Sequence, residues 1–352
     1  MNLFDYVKPK TIPEAIAAAS APGAAYLASG TNLLDLMKGG IARPSRLVDV
    51  NHLPGLDAIE HLPDGGVRIG ALVRNADLAY DPSFARRFPA VTEALLSGAS
   101  AQLRNAATVG GNLLQRTRCA YFYDVASACN KREPGAGCDA RHGDTRLHAV
   151  LGWSEKCIAT HPSDFCVPLL AFDAMVEIEG AAGHREVSLE GFHLLPGETP
   201  NAESVLAPGE LIVALRLPAE AARFAAHARY LKVRERTSYA FAVVSAAAAL
   251  RIEGTRIVEA RIALGGVAPK PWRARSAEAA LAGAALDNAA FRRAAEVALA
   301  DAKPSGDNTY KIELAKRIVT RALSLAALGT PDRAPALPAS PFAPIPGVLV
   351  DA

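Results

Sequence analysis

The chain has 352 residues, with 38 lysines and arginines against 36 aspartates and glutamates and a formal net charge of +2. So weak a field argues against nucleic acid as a partner, and two tryptophans argue against a stacking platform. The most apolar run, residues 240–250, is too short to cross a bilayer, so no membrane insertion is expected. The first residues show no basic segment leading into a long apolar one, so export would depend on a partner's signal.

In chain order, Thr11-Ile-Pro-Glu14 has the spacing of a capping box with proline in the first turn, predicting a helix to about residue 20. A short strand over 25–28 runs into Ser29-Gly30-Thr31-Asn32. A helix over 33–38 follows, stopped by Gly39-Gly40. With a second strand over 46–50 this makes a βαβ-like opening. A strand over 66–73, a helix capped by Asn75 and another near 90–97 come next. Residues 107–111 then turn into a stretch, 114–160, that has little periodicity and many Gly, Arg and Asp residues. Strands resume at 176–179, 185–189 and 211–217, and Pro218 closes the block. Beyond a bridge over 219–228, strands at 229–233, 241–252 and 257–264 precede helices at 276–281, 291–302 and 308–325. The fold class is α+β. Residues 1–218 form one domain with an insertion at 114–160, residues 223–328 a small second domain, and 329–352 an extended Pro/Ala-rich tail.

Two turns suit a phosphate-bearing ligand. Ala28-Ser-Gly-Thr-Asn32 stands at a strand-to-helix junction, where glycine lets backbone approach a ligand and free N–H groups face outward. Thr108-Val-Gly-Gly-Asn112 has consecutive glycines flanked by hydrogen-bonding side chains, although either stretch also reads as a plain turn. Four of the five cysteines, Cys119, Cys129, Cys138 and Cys157, fall in the irregular stretch as C-x9-C-x8-C-x18-C. Zinc ribbons use paired C-x2–4-C knuckles, which are missing here, so the spacing suits a cluster wrapped by a loop better than zinc. Two disulfides in an oxidising compartment stay open as the other reading. His142, His148 and His161 stand nearby without an assignable role.

Together the motifs resemble the FAD-binding subunits of molybdenum hydroxylases, the xanthine dehydrogenase, carbon monoxide dehydrogenase and aldehyde oxidoreductase family. The resemblance runs over residues 1–328 and rests on four stretches. They are Ala28-Ser-Gly-Thr-Asn32, Gln102-Leu-Arg-Asn-Ala-Ala-Thr-Val-Gly-Gly-Asn112, Ser163-Asp164 and Tyr230-Leu-Lys-Val-Arg-Glu-Arg236. Gln115-Arg-Thr-Arg-Cys-Ala-Tyr-Phe-Tyr-Asp124 and Cys129-Asn-Lys-Arg-Glu-Pro-Gly-Ala-Gly-Cys138 are similar to the flavin subunit of bacterial periplasmic aldehyde oxidoreductase, which carries an extra 4Fe–4S cluster.

The resemblance implies a two-part FAD-binding domain of the vanillyl-alcohol-oxidase (PCMH) type with an iron–sulfur insertion, followed by a small α/β domain. It implies FAD contacts from Tyr26, Leu27, Ala28, Ser29, Gly30, Thr31, Asn32, Leu33 and Leu34 around the pyrophosphate, and from Thr108, Gly110, Gly111 and Asn112. Asp164 would sit near the ribose and diphosphate, and Lys232 near the flavin edge. It implies a 4Fe–4S cluster on Cys119, Cys129, Cys138 and Cys157, with Cys166 left out. It implies a heterotrimer with a large molybdenum-cofactor subunit and a small subunit holding two 2Fe–2S clusters, exported to the periplasm with a signal-bearing partner. The alternatives are a stand-alone flavoprotein oxidase with a zinc- or disulfide-stapled loop, and a non-catalytic assembly scaffold.

Overall fold

The computed structural model describes residues 1–332. The expected tail therefore lies outside the described residues from position 333 onward. The chain opens with β1 (Asp5–Val7), α1 (Ile12–Ala19), β2 (Ala24–Leu27), α2 (Leu33–Lys38) and β3 (Arg46–Asp49). Thr11 caps α1 by accepting from the Glu14 N–H at 3.3 Å, while the Glu14 carboxylate accepts from the Lys10 N–H at 2.8 Å. The three strands pair in parallel in the order β1-β3-β2. Parallel neighbours need a crossover, and α2 supplies it between β2 and β3.

A five-stranded antiparallel sheet follows, built from β4 (Ile59–His61), β5 (Val67–Gly70), β6 (Met175–Gly180), β7 (Gly183–Ser188) and β8 (Leu211–Leu217) in the order β4-β5-β8-β6-β7. Between β5 and β6 the chain runs through α3 (Asn75–Tyr80), α4 (Pro82–Arg87), α5 (Pro89–Ser97), α6 (Ala101–Ala106), α7 (Val109–Leu113) and α8 (Ala120–Tyr123), and reaches α9 (Cys166–Ala171) after the cysteine stretch. Val67, Ile69, Val176, Ile178 and Leu215 of the sheet pack with Phe84, Phe88, Val91, Phe165 and Phe192 in the largest core cluster. Asn75 is the first helical residue of α3, and Arg74 holds the cap position without a side-chain hydrogen bond. The expected asparagine cap is thus corrected by one position.

Ala219–His227 is 3-10 helix and leads to a four-stranded antiparallel sheet. Its strands are β9 (Ala228–Val233), β10 (Val244–Glu253), β11 (Arg256–Gly265) and β12 (Trp272–Arg273), in the order β12-β11-β10-β9. The helices α11 (Arg275–Leu281), α12 (Asn288–Ala298) and α13 (Tyr310–Leu328) cover it and share its second core of Val244, Leu250, Ile262, Phe291, Val319 and Leu323. β10 starts at Val244 rather than at residue 241 as expected, because residues 234–243 leave the sheet to border a cavity.

β9 locks the two halves together. Arg229 pairs with Glu93 of α5 at 2.9 Å, with both side chains 5% exposed. The Tyr230 N–H donates to the other Glu93 oxygen at 2.6 Å. Burying either charge alone would be strongly unfavourable, so the pair fixes the register of β9 against α5.

Candidate functional site

A cavity of about 470 Å3 opens where the first lobe, the helices after β5 and the loop after β9 meet. Thr31, Asn32 and Asp35 line it from the first lobe. Gly98, Ala99, Arg104, Gly111 and Asn112 come from the helical layer, and Lys232, Arg236, Tyr239 and Phe241 from beyond β9. A larger hollow of about 610 Å3 between α12 and α13 is more open and holds none of the motif residues. Size alone therefore does not locate the site.

Strand alternation builds the charged wall. Tyr230 and Lys232 are two apart on β9 and so share a face. The Tyr230 hydroxyl donates to Asp164 at 2.6 Å, and the Lys232 ammonium pairs with its other oxygen at 2.7 Å, both side chains of the ion pair nearly fully buried. Lys232 also donates to the Ser97 carbonyl at 3.1 Å. The first turn is shaped by Gly30, whose φ of +77° suits glycine and whose missing Cβ would otherwise meet the Leu34 side chain at 2.7 Å. The second turn is shaped by packing. A Cβ on Gly110 would stand 2.9 Å from Ala71 Cβ and 3.0 Å from its carbonyl, so only glycine lets α7 press on the segment after β5. Ala99 and Tyr239 both have left-handed backbone, with φ of +50°, and both line the cavity. Strain of this kind persists where surrounding structure enforces it.

The sequence-predicted residues divide. Thr31, Asn32, Gly111, Asn112, Asp164 and Lys232 line the cavity. Thr108 is buried behind it and caps α7 by accepting from the Gly111 N–H at 3.2 Å. Gly110 faces Ala71 rather than the cavity. Tyr26 and Leu27 end β2, the Tyr26 hydroxyl donating to the Gly209 carbonyl at 2.7 Å. The Ala28 carbonyl accepts from Asn51 at 2.9 Å, Ser29 and Thr31 hydroxyls lie 3.5 Å apart, and Leu33 and Leu34 open α2. Residues 24–34 are all half-buried, so the turn offers backbone without being sealed in the core. Arg104, Arg118, Tyr239 and Phe241 line the cavity and were not singled out from sequence. Phe241 read as the start of a strand, and Tyr239 fell in the connection before it.

The cavity fits a large polar cofactor. Asn32 Nδ2, Asn75 Oδ1, Arg104 Nε and Arg118 Nε are buried without hydrogen-bond partners, and all four residues line it. Such atoms are costly unless a ligand satisfies them.

The four clustered cysteines converge. Cys119, Cys129, Cys138 and Cys157 line one small internal void with Thr117, Tyr121, Phe122 and Lys131, and Cys166 is elsewhere. All five are free thiols in the structure. Burial pushes the Cys119 thiol up to about 12 and also raises Cys138 and Cys157. Nearby backbone N–H groups partly offset that rise, those of Tyr121 and Phe122 for Cys119, of Ala140, Arg141 and Ile158 for Cys138, and of Ala159 for Cys157. As thiolates, four sulfurs buried together would need a cationic centre to hold them. Among the described residues no three of these sulfurs lie within 4.8 Å of one another. A single zinc, with bonds of about 2.3 Å, would draw them to roughly 3.8 Å. The donor set fits something larger than one ion.

Cys166 lies instead with His161 and His193, their ligand-type atoms within 4.8 Å of one another. Burial pushes Cys166 up to about 12 and His193 down to about 4. His148, left without a role by sequence, has its Nε2 at 3.2 Å from Cys119 Sγ. No sequence spacing signals that contact, because 29 positions separate the two residues.

This combination of fold and cavity defines a flavin-binding subunit of a molybdenum hydroxylase, and the chain belongs to that family. Residues 2–220 match the FAD binding domain in molybdopterin dehydrogenase, and residues 229–326 match the CO dehydrogenase flavoprotein C-terminal domain. The aldehyde oxidoreductase FAD-binding subunit PaoB of Escherichia coli is 50% identical, over 92% of this chain and 98% of its own. The carbon monoxide dehydrogenase medium chain of Hydrogenophaga pseudoflava is 30% identical, over 92% and 96%. Among solved structures, carbon monoxide dehydrogenase from the same Hydrogenophaga species superposes with a TM-score of 0.72 at 30% identity, covering 92% of this chain and 97% of that one. Quinoline 2-oxidoreductase from Pseudomonas putida gives 0.71 at 27% identity, covering 93% and 99%.

Proposed function

We propose that the protein is the FAD-binding electron-transfer subunit of a heterotrimeric molybdenum-dependent aldehyde oxidoreductase and carries a 4Fe–4S cluster of its own. The observation that carries this reading is adjacency. Arg118 lines the cofactor cavity, and the next residue, Cys119, lines the four-thiol void. The Ser29–Asn32 turn would hold the FAD pyrophosphate through its backbone, with Gly111 and Asn112 opposite. The Lys232–Asp164 pair would fix the wall beside it. Cys119, Cys129, Cys138 and Cys157 would hold the cluster, and Cys166, sealed among His161 and His193, would hold none of it. FAD held there would supply the redox chemistry, with electrons delivered from a partner's 2Fe–2S clusters and handed to an external acceptor. A large molybdenum-cofactor subunit would oxidise the aldehyde. What the chain itself contributes is binding, orientation and exclusion of water. Export to the periplasm would occur as a folded complex with a signal-bearing partner.

The test is co-expression with both partners, followed by flavin, iron and molybdenum analysis of the purified complex. Serine at Cys119, Cys129, Cys138 or Cys157 should lower iron below the unsubstituted complex, while Cys166→Ser leaves it unchanged. Gly30→Val should lower flavin far more than iron. One zinc and no iron beyond the partners' share in anaerobic preparations would overturn the cluster, and normal FAD retention in Gly30→Val would overturn the turn.

A further inference from the structure

We propose that His148 is a positioning residue for the four-thiol centre, donating its Nε2–H to the Cys119 sulfur and thereby raising the reduction potential of the cluster bound there. This rests on the 4Fe–4S reading above and adds to it a residue that is not a ligand.

The direction of the hydrogen bond follows from the two partners. A cysteine that ligates iron is a thiolate and can only accept. His148 Nε2 stands 3.2 Å from Cys119 Sγ, and its Nδ1 is buried with no partner. His148 is 7% exposed, so the ring faces the sulfur from inside the fold. An imidazole that carries its proton on Nε2 gives the thiolate a donor at that distance.

The ring is also held in place by the second domain. Lys311 of α13 is wholly buried and donates to the carbonyls of Leu147, His148 and Gly266 at 2.9, 2.8 and 2.7 Å. These three carbonyls can take all three ammonium protons, with no carboxylate needed. Asn308 donates to the His148 and Ala149 carbonyls at 3.1 and 3.3 Å. Two buried side chains from one helix and its lead-in thus brace the backbone on both sides of the imidazole. A histidine merely filling space would not need this. Hydrogen bonds to cluster sulfurs withdraw charge and favour the reduced, more negative state, so each one raises the potential.

The experiment is an EPR-monitored redox titration of the assembled complex, reading the fast-relaxing 4Fe–4S signal apart from the partner's 2Fe–2S signals. His148→Phe fills the space without a donor, and His148→Gln keeps an N–H. Loss of the donor should shift the reduction equilibrium about tenfold toward the oxidised state, about 59 mV for a one-electron couple. Iron content should not change, and glutamine should restore part of the shift. An unmoved potential in His148→Phe with full iron would overturn the proposal. The parent reading fails differently, by a missing 4Fe–4S signal in the unsubstituted complex. If His148→Phe does not assemble, the unsubstituted complex with 15N-histidine in D2O decides. Electron–nuclear couplings to one histidine nitrogen and one exchangeable deuteron on the reduced cluster are expected, and the absence of both overturns the hydrogen bond.

Discussion

Asp164 anchors one wall of the cavity. Its carboxylate holds the Tyr230 hydroxyl on one oxygen and the Lys232 ammonium on the other, all three groups buried. Asp164→Ala would leave Lys232 with the Ser97 carbonyl alone, an uncompensated charge in the interior. The expected cost is about 3–5 kcal/mol at neutral pH, read as a lower denaturant midpoint, together with weaker FAD retention. Adding Lys232→Met removes the stranded charge. The double variant should therefore be more stable than the sum of the two single losses predicts. Simple additivity would show that the pair is not coupled in the way its geometry requires.

At the scale of elements, the cysteine stretch is tied down from outside itself. Glu203, in the loop before β8, pairs with Lys131 at 2.9 Å and with Arg116. Lys131 is buried beside the thiols and donates also to the Pro200 carbonyl at 3.0 Å. Glu203→Ala should loosen the stretch at two points, Arg116 and Lys131, so that iron is lost faster to a chelator while the unfolding midpoint moves by less than for Asp164→Ala. Iron release at the unsubstituted rate would mean that the thiol nest holds itself together. This dependence also marks where the sequence was readable and where it was not. Elements with local signatures were legible, among them α1 with its Thr11 cap, the β2–α2–β3 crossover and the strands flanking β8. Short pieces such as β1, β4, α4 and the helical turn α10 (Leu189–Phe192) were not, because three to six residues carry too little periodicity against neighbours that decide their state. The convergence of the four cysteines was foreshadowed by their clustering. The brace from α13 and the loop from Glu203 were invisible, since contacts more than 70 positions apart leave no mark on spacing.

Across the whole molecule, the parallel lobe, the helices on the five-stranded sheet and the loop after β9 meet around one cavity, and buried polar groups are among the contacts that join them. Such joints respond to pH, and His193 gives the response a sign. It is 5% exposed, sits in the main chain's path between β7 and β8, and has a Nε2 2.9 Å from the Leu113 carbonyl at the end of α7. Burial pushes it down to about 4, and burial beside His193 lowers His161 as well. Between pH 6.5 and about 4 the unfolded chain therefore binds a proton at His193 that the native state refuses. Stability falls as the pH falls through that window and the loss is complete near pH 4, amounting to about 3 kcal/mol at roughly 1.4 kcal/mol per pH unit. His193→Gln keeps a donor for Leu113 but cannot titrate. Other acid-sensitive groups act equally in both proteins, so the difference in unfolding free energy between variant and parent isolates this one. Urea denaturation between pH 7 and 4 should show the variant losing less stability than the parent, the two curves approaching or crossing as the pH drops. Parallel curves would mean that His193 is protonated in the native state across the window, and that the joint between α7 and the second sheet is wetter than its packing implies.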